Sequence, residues 1–217
     1  MIKAILFDLD GTLVDSIFDL ASCVNTVLQR NSYPTHEVDK FRYFIGNGIP
    51  KLIERALPEK VLDAEREKCL LEFGEYYAEH FADRTREYDG IPQILAQLKE
   101  RGLLTAVVSN KDDGMTASVV KTVFSHRFDF VMGRRDGFAI KPSADMLLFA
   151  CESLGVRPDE CIFVGDSGMD MKAAVNAGLT PVGVLWGYRE EGELKENGAK
   201  FLAENREDLL KIIMSLV

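Results

Sequence analysis

The stretch ILFDLDGTLVDS, residues 5–16, decides how this chain is read. Ile5, Leu6 and Phe7 form a short apolar run that reads as a buried strand, and Asp8 and Asp10 fall where that strand stops. Carboxylates are costly to desolvate, so a pair at a strand end faces water, a cation or a ligand. Asp and Gly also favour turns, and D-x-D-G taken alone fits a turn as well as it fits a site. The remainder of the chain separates the two readings.

At 217 residues the chain holds one large domain or one domain carrying an insertion. Its 47% apolar content supplies a sizeable core and argues against disorder. A formal charge of −9 argues against nucleic acid or an anionic membrane as the main partner. It also means that an anionic substrate needs a local cation. No apolar run approaches the roughly 18 residues of a membrane span, and the N-terminus lacks a signal-peptide pattern. Cys23, Cys69, Cys151 and Cys161 are scattered without metal-ligand spacing, as are His36, His80 and His126. A structural zinc site is therefore not expected. The cysteines read as small core residues of a protein in a reducing cytoplasm.

Outward from Phe7, apolar β-rich runs recur at Leu103 to Val108, Phe128 to Met132, Cys161 to Val164 and Pro181 to Leu185. Helical spacing lies between them. Ile91, Ile94, Leu95 and Leu98 share one face before Gly102, and Met146, Leu147, Ala150 and Cys151 share another between Ser143 and Gly155. Continuous apolar strands alternating with helices predict an α/β fold: a Rossmann-like parallel sheet with helices on both faces. Residues 16–86 break the alternation with helical patterns alone, including a stripe at Ile49, Leu52, Ile53 and Ala56 and a long helix over about 62–81. Ser16 with Asp19 reads as a capping signal for the first of these helices. The expected organisation is a core of residues 1–15 and 87–217 with a helical cap of residues 16–86. Such an insert hangs over the carboxyl end of the first strand, where open α/β sheets bind ligands.

Polar residues recur at the ends of the other strands. Ser109, Asn110 and Lys111 follow one, and Gly165, Asp166 and Ser167 follow another, with Asp170 in the first turn of the next helix. Lys141 precedes a proline in an extended segment. Each group alone fits a cap, a turn or a solvated surface. Together they supply what phosphoryl transfer needs. A carboxylate nucleophile is repelled by a phosphoryl group unless a hard cation such as Mg²⁺ offsets the charge. Hydroxyl, ammonium and N–H donors hold the non-bridging oxygens, and a second carboxylate moves the proton.

In this order, FDLDGT, SN, KP and GDSGMD resemble the four motifs of the haloacid dehalogenase superfamily, spanning about Phe7 to Asp170. The resemblance implies that Asp8 is the nucleophile forming an aspartyl-phosphate and Asp10 the general acid/base. It implies that Asp8, the backbone carbonyl of Asp10, and Asp166 bind Mg²⁺, with Asp170 supporting the metal. Ser109, Lys141 and the Asn110 backbone N–H would grip the phosphate. Within the superfamily the segments FRYFIGNGIPKLIERAL, VVSNK, ACESLGV and GVLWGY are most similar to phosphoglycolate phosphatases and their near relatives. On that resemblance Gly46, Asn47 and Gly48, at the start of a helix, and nearby Lys51 are candidates for a substrate carboxylate. Tyr88-Asp89-Gly90 and the Arg134-Arg135 pair depart from the family pattern, which leaves the substrate open.

A sugar phosphomutase, a pyrophosphatase and a nucleotidase share this chemistry. A non-catalytic phosphate-binding or receiver protein is the reading from a different class, although receivers are shorter and lack a cap. The expected partner is a small phosphomonoester, and the expected assembly a monomer or homodimer.

Overall fold

The computed structural model describes residues 1–217. Its strands are β1 (Ala4–Phe7), β2 (Val14–Asp15), β3 (Arg86–Glu87), β4 (Leu104–Asp112), β5 (Phe130–Arg134), β6 (Cys161–Gly165), β7 (Thr180–Val184) and β8 (Phe201–Ala203). The α-helices are α1 (Ile17–Arg30), α2 (Phe41–Phe44), α3 (Ile49–Ala56), α4 (Asp63–His80), α5 (Ile91–Glu100), α6 (Asp113–Val123), α7 (Asp145–Leu154), α8 (Gly168–Ala177), α9 (Glu191–Glu196) and α10 (Arg206–Leu216).

Every residue of β1 is buried because the strand is paired on both sides and covered on both faces. Ile5 and Phe7 pack with Val107, Ile162 and helix residues Ile94 and Leu98 on one face. Ala4 and Leu6 pack with Ala106, Phe163 and helix residues Met146 and Leu147 on the other. The apolar runs are continuous for that reason: both faces of each strand are inside. Six parallel strands follow the order β5-β4-β1-β6-β7-β8. The chain leaves β1 toward β4 and β5, then returns to its other side for β6, β7 and β8. The order reverses at β1, and the carboxyl ends at such a switch form a crevice.

Helices α1 to α4 lie between β2 and β3, which pair antiparallel through Val14 with Glu87 and Asp15 with Arg86. They bury their own cluster, with Leu20, Val24, Phe41, Phe73 and Tyr77 among its members. The long helix expected over 62–81 is α4, and Gly155 ends α7 in the left-handed conformation at φ 69°. Three expectations shift. The strand placed at 128–132 runs instead from Phe130 to Arg134. β8 and the β2–β3 ribbon, of two or three residues each, are too short to show a period. Ser16 and Asp19 do not cap α1: Ser16 makes no capping bond. Buried Asp19 instead accepts from the Arg84 N–H, the Thr85 N–H at 2.8 Å and the Thr85 hydroxyl at 2.7 Å. That carboxylate ties the outgoing chain to the returning one.

Losing Asp19 strands three donors, two of them on buried Thr85. Asp19→Ala is expected to cost about 2–4 kcal/mol of stability. Urea unfolding checks this, with exposed Asp83→Ala expected to change it by less than about 0.5 kcal/mol.

Candidate active site

Three neighbouring strands end at one cavity. β1 delivers Asp8 and Asp10, β4 delivers Ser109 to Lys111, and β6 leads to Asp166 and Ser167. The β4 contribution depends on a bulge. Val108 pairs with Met132 and Asp112 with Arg134, so four steps on β4 oppose two on β5. The extra residues kink the strand and turn Ser109, Asn110 and Lys111 together into the cavity, where a regular strand would alternate them.

Asp8, Asp166 and Asp170 are buried, and one oxygen from each lies within 4.8 Å of the others. Lys141 reaches between two of them, 2.7 Å from Asp8 Oδ1 and 2.7 Å from Asp170 Oδ1, and also donates to the Val108 carbonyl. Burial pushes the Asp8 carboxyl up to about 7, against the pull of Lys141. It pushes Asp166 well above the usual carboxylate range, helped by Asp170 and Asp8. Asp166 accepts from the Tyr188 N–H at 2.7 Å and the Thr12 hydroxyl at 3.4 Å but meets no ammonium. Such a set of hard, buried, under-compensated oxygens fits a divalent cation. Backbone without side chains makes the space. At Gly11, with φ 88°, a Cβ would fall 2.4 Å from Asp166 Oδ2, and at Gly187 one would fall 2.3 Å from Asp166 Cβ. Asp170 is fixed through the Ser167 hydroxyl at 2.6 Å, the box that starts α8.

Asp10 is outside the cluster. Its Oδ1 accepts from the Ser16 hydroxyl at 2.5 Å, and both its oxygens accept from Lys111 Nζ at 2.9 and 3.0 Å. Lys111 is buried, and burial opposes its charge, but Asp10 outweighs that and holds the ammonium proton more firmly than usual. The two carboxylates one residue apart thus have different surroundings: Asp8 sits in the carboxylate cluster and shares Lys141 with Asp170, whereas Asp10 lies outside it, paired with Lys111 and Ser16.

The inserted helices close the cavity. Leu20, Ile45, Ile49 and Leu52 give it an aliphatic roof, with Gly46 and Gly48 between. The closure is bonded: the Asn110 side chain donates to the Gly46 carbonyl, Arg42 to the Gly187 carbonyl and Arg189 to the carbonyls of Arg42 and Ile45. About 50 Å³ of free space remains, room for only a few water-sized groups.

The cavity gathers Asp8, Asp10, Ser109, Asn110, Lys141, Asp166 and Asp170, together with Gly46 and Gly48. It does not gather Asn47 or Lys51. Asn47 accepts from Arg55 at 2.7 Å, and Lys51, half exposed, is held by Glu54 at 2.7 Å. The helical spacing of Lys51 and Glu54 favours that pair over the cavity. Lys111, Ser16, Tyr188 and Arg189 line or brace the site without having been singled out. Lys111 stood beside two residues that were, and the bulge that turns it inward has no sequence period. Tyr188 and Arg189 lie in a loop whose only signal was its likeness to the family.

Comparison with known proteins agrees with this geometry. Residues 5–184 match the model of the haloacid dehalogenase-like hydrolase family, and the chain belongs to that family. The chain is a phosphatase-type hydrolase of phosphoric monoesters. The chain is 36% identical to a phosphoglycolate phosphatase of Mannheimia succiniciproducens, over 97% of this chain and 98% of that one. It is 35% identical to a phosphoglycolate phosphatase of Chromobacterium violaceum, over 89% of each. A crystal structure named as a predicted phosphoglycolate phosphatase from Haemophilus somnus 129PT superposes with a TM-score of 0.91 at 31% identity, covering 98% of each chain. No helix is long and apolar enough to cross a membrane.

The raised Asp8 value sets a pH dependence. Between its ordinary 3.8 and about 7, the folded chain keeps a proton on Asp8 that the unfolded chain has released. Without a divalent cation, stability is therefore expected to fall as pH rises through that window. Affinity for Mg²⁺ is expected to rise with pH up to and beyond about pH 7, because a cation held by Asp8 and Asp166 displaces the protons that burial favours on both. Thermal unfolding in chelator and calorimetric titration with Mg²⁺ check the two halves. Lys51→Ala, by contrast, is expected to leave turnover of any phosphomonoester within about twofold and stability within about 0.5 kcal/mol.

Proposed function

We propose that the chain is a Mg²⁺-dependent phosphatase working through an aspartyl-phosphate on Asp8, with phosphoglycolate as its main substrate. The observation that carries this reading is the division between Asp8, set in the carboxylate cluster beside Lys141, and Asp10, held apart from it by Ser16 and Lys111. One carboxylate is placed to attack and the other to move a proton.

The Asp8 oxygen forms a bond to phosphorus as the bond to the ester oxygen breaks, and Asp10 gives its proton to the leaving oxygen. Water then attacks the phosphorus, passes a proton to Asp10 and releases Asp8 with inorganic phosphate. Asp8, Asp166 and the backbone carbonyl of Asp10 would hold Mg²⁺, with Asp170 in support. Bound there, the ion offsets the repulsion between carboxylate and phosphoryl oxygens. Lys141, the Ser109 hydroxyl and the Asn110 N–H keep those oxygens in line. Residues 16–86 act as the cap that excludes water, which their separate hydrophobic cluster and two-strand connection support. The confined space under the aliphatic roof favours a small ester over a hexose phosphate or nucleotide. The relatives named as phosphoglycolate phosphatases support the same choice. Four unpaired cysteines support action in the cytoplasm.

Phosphate release from phosphoglycolate, hexose phosphates, nucleoside monophosphates and pyrophosphate, with Mg²⁺ or chelator, tests the reading. Mg²⁺-dependent preference for phosphoglycolate is expected. Transfer to a sugar phosphate without net phosphate release would replace it with a mutase. Asp8→Asn should lower turnover by about 10⁴-fold or more while leaving unfolding unchanged, since the amide is nearly isosteric but does not attack.

A further inference from the structure

Lys111 is the cavity's second buried ammonium, and so far its one role is to hold Asp10 apart from the carboxylate cluster. Phosphoglycolate carries a carboxylate two carbons from the ester oxygen, so a site that selects it needs a cation on the leaving-group side. The sequence pointed to Lys51 for this, but Lys51 is held by Glu54. Arg55 braces the carbonyls of Tyr43 and Phe44, and Arg189 is taken up by the carbonyls of the cap. Arg134 lies in a separate groove with Asp112, Asp113 and Asp136. Lys111 remains. It lines the cavity, and its ammonium sits one hydrogen bond from both oxygens of Asp10, the group that must meet the ester oxygen. On its far side is the ring of Tyr77, 5.1 Å from Nζ.

We infer that Lys111 is the specificity-determining residue: the substrate carboxylate takes its ammonium from Asp10, and Asp10, so released, turns to the ester oxygen. The inference rests on the phosphoglycolate reading above. It couples recognition to proton transfer. While Lys111 engages both Asp10 oxygens, and Ser16 one of them, Asp10 is held as an ion-pair partner; once the ammonium turns to the substrate, Asp10 takes up a proton from water and carries it to the ester oxygen. A substrate carboxylate offers the ammonium an equivalent partner, so the buried charge is never left alone. A neutral ester of the same size offers none and must break the pair uncompensated.

The test compares kcat/KM for phosphoglycolate and for 2-hydroxyethyl phosphate, which has the same carbon count and no carboxylate. The unaltered protein is expected to prefer phosphoglycolate by about 100-fold or more. Lys111→Met should reduce kcat/KM on phosphoglycolate by about 100-fold and on hydroxyethyl phosphate by less than about tenfold, collapsing the preference. Lys111→Arg should restore part of it. A Lys111→Met variant, or Lys111→Gln if the first does not fold, that loses equally on both substrates would overturn the inference and leave phosphoglycolate as the substrate. If the unaltered protein shows no preference between the two esters, no carboxylate is read, and the phosphoglycolate reading falls with the inference. Binding without turnover gives a second readout. In an Asp8→Asn background, phosphoglycolate should raise the unfolding temperature, and adding Lys111→Met should abolish that rise.

Discussion

The Lys141 ammonium lies 2.7 Å from both Asp8 and Asp170, and the site is arranged around the charge it does not balance. Four carboxylates, those of Asp8, Asp10, Asp166 and Asp170, share the cavity with two lysines. Lys111 answers Asp10, and Lys141 is divided between Asp8 and Asp170. The guanidinium of Arg189 also lines the cavity, and an excess of negative charge still remains, to be met by protons or by a cation. Burial pushes Asp8 and Asp166 upward, which favours their protonated forms, and a divalent ion held there would supply positive charge in place of those protons. Removing the shared lysine would break a buried pair, a loss of about 3–5 kcal/mol, and would leave the cluster with no resident cation.

The sheet is what brings these charges together. Carboxylates in a row on one strand would alternate between faces, but here they come from the end of β1, from the end of its neighbour β6 and from the start of α8, while β4 on the other side of β1 brings the second lysine. The β4 bulge adds three consecutive residues from one strand, which a regular ladder forbids. Asn110 then joins two levels of structure. Its side chain accepts from the Lys141 N–H and donates to the Lys141 carbonyl, fixing the lysine, and donates also to the Gly46 carbonyl of the roof. The placing of Lys141 and the closure are thus set by one amide group.

Much of this was legible in the sequence, for reasons that can be named. Ile5 to Phe7 and Cys161 to Val164 read as strands because both faces are buried and the apolar run is unbroken. Asp8, Asp10, Ser109, Asp166 and Asp170 were readable because each stands near a strand end or helix start, where local pattern changes, and Lys141 because it precedes a proline. What was not legible depends on contacts distant in sequence. Asp19 looked like a cap because it stands three residues after Ser16, yet its partners lie 65 and 66 residues onward. Lys51 looked like an anion site because it follows Gly46 to Gly48, and only the turn of α3 shows it facing Glu54. Cys151 and Cys161 looked unrelated, and α7 packing on β6 brings their sulfurs to 3.7 Å.

The two halves of the cavity carry different chemistry. The floor, from the sheet, holds every carboxylate and lysine. The roof, from the helices, offers four aliphatic side chains and glycine backbone. An aliphatic roof lowers the local dielectric and so strengthens each interaction on the floor, but it discriminates weakly between ligands of similar size. Discrimination by charge must then come from the floor itself, from a lysine that the phosphate does not already occupy. It also follows that the roof's latch is polar where it meets the rim. Arg42 and Arg189 each cross from one half to the other and end on a carbonyl, so closure adds donors to existing acceptors and no new charge to the cavity. Exchanging those bonds for water would carry a small net cost, and it would leave the balance of charge beneath the roof undisturbed.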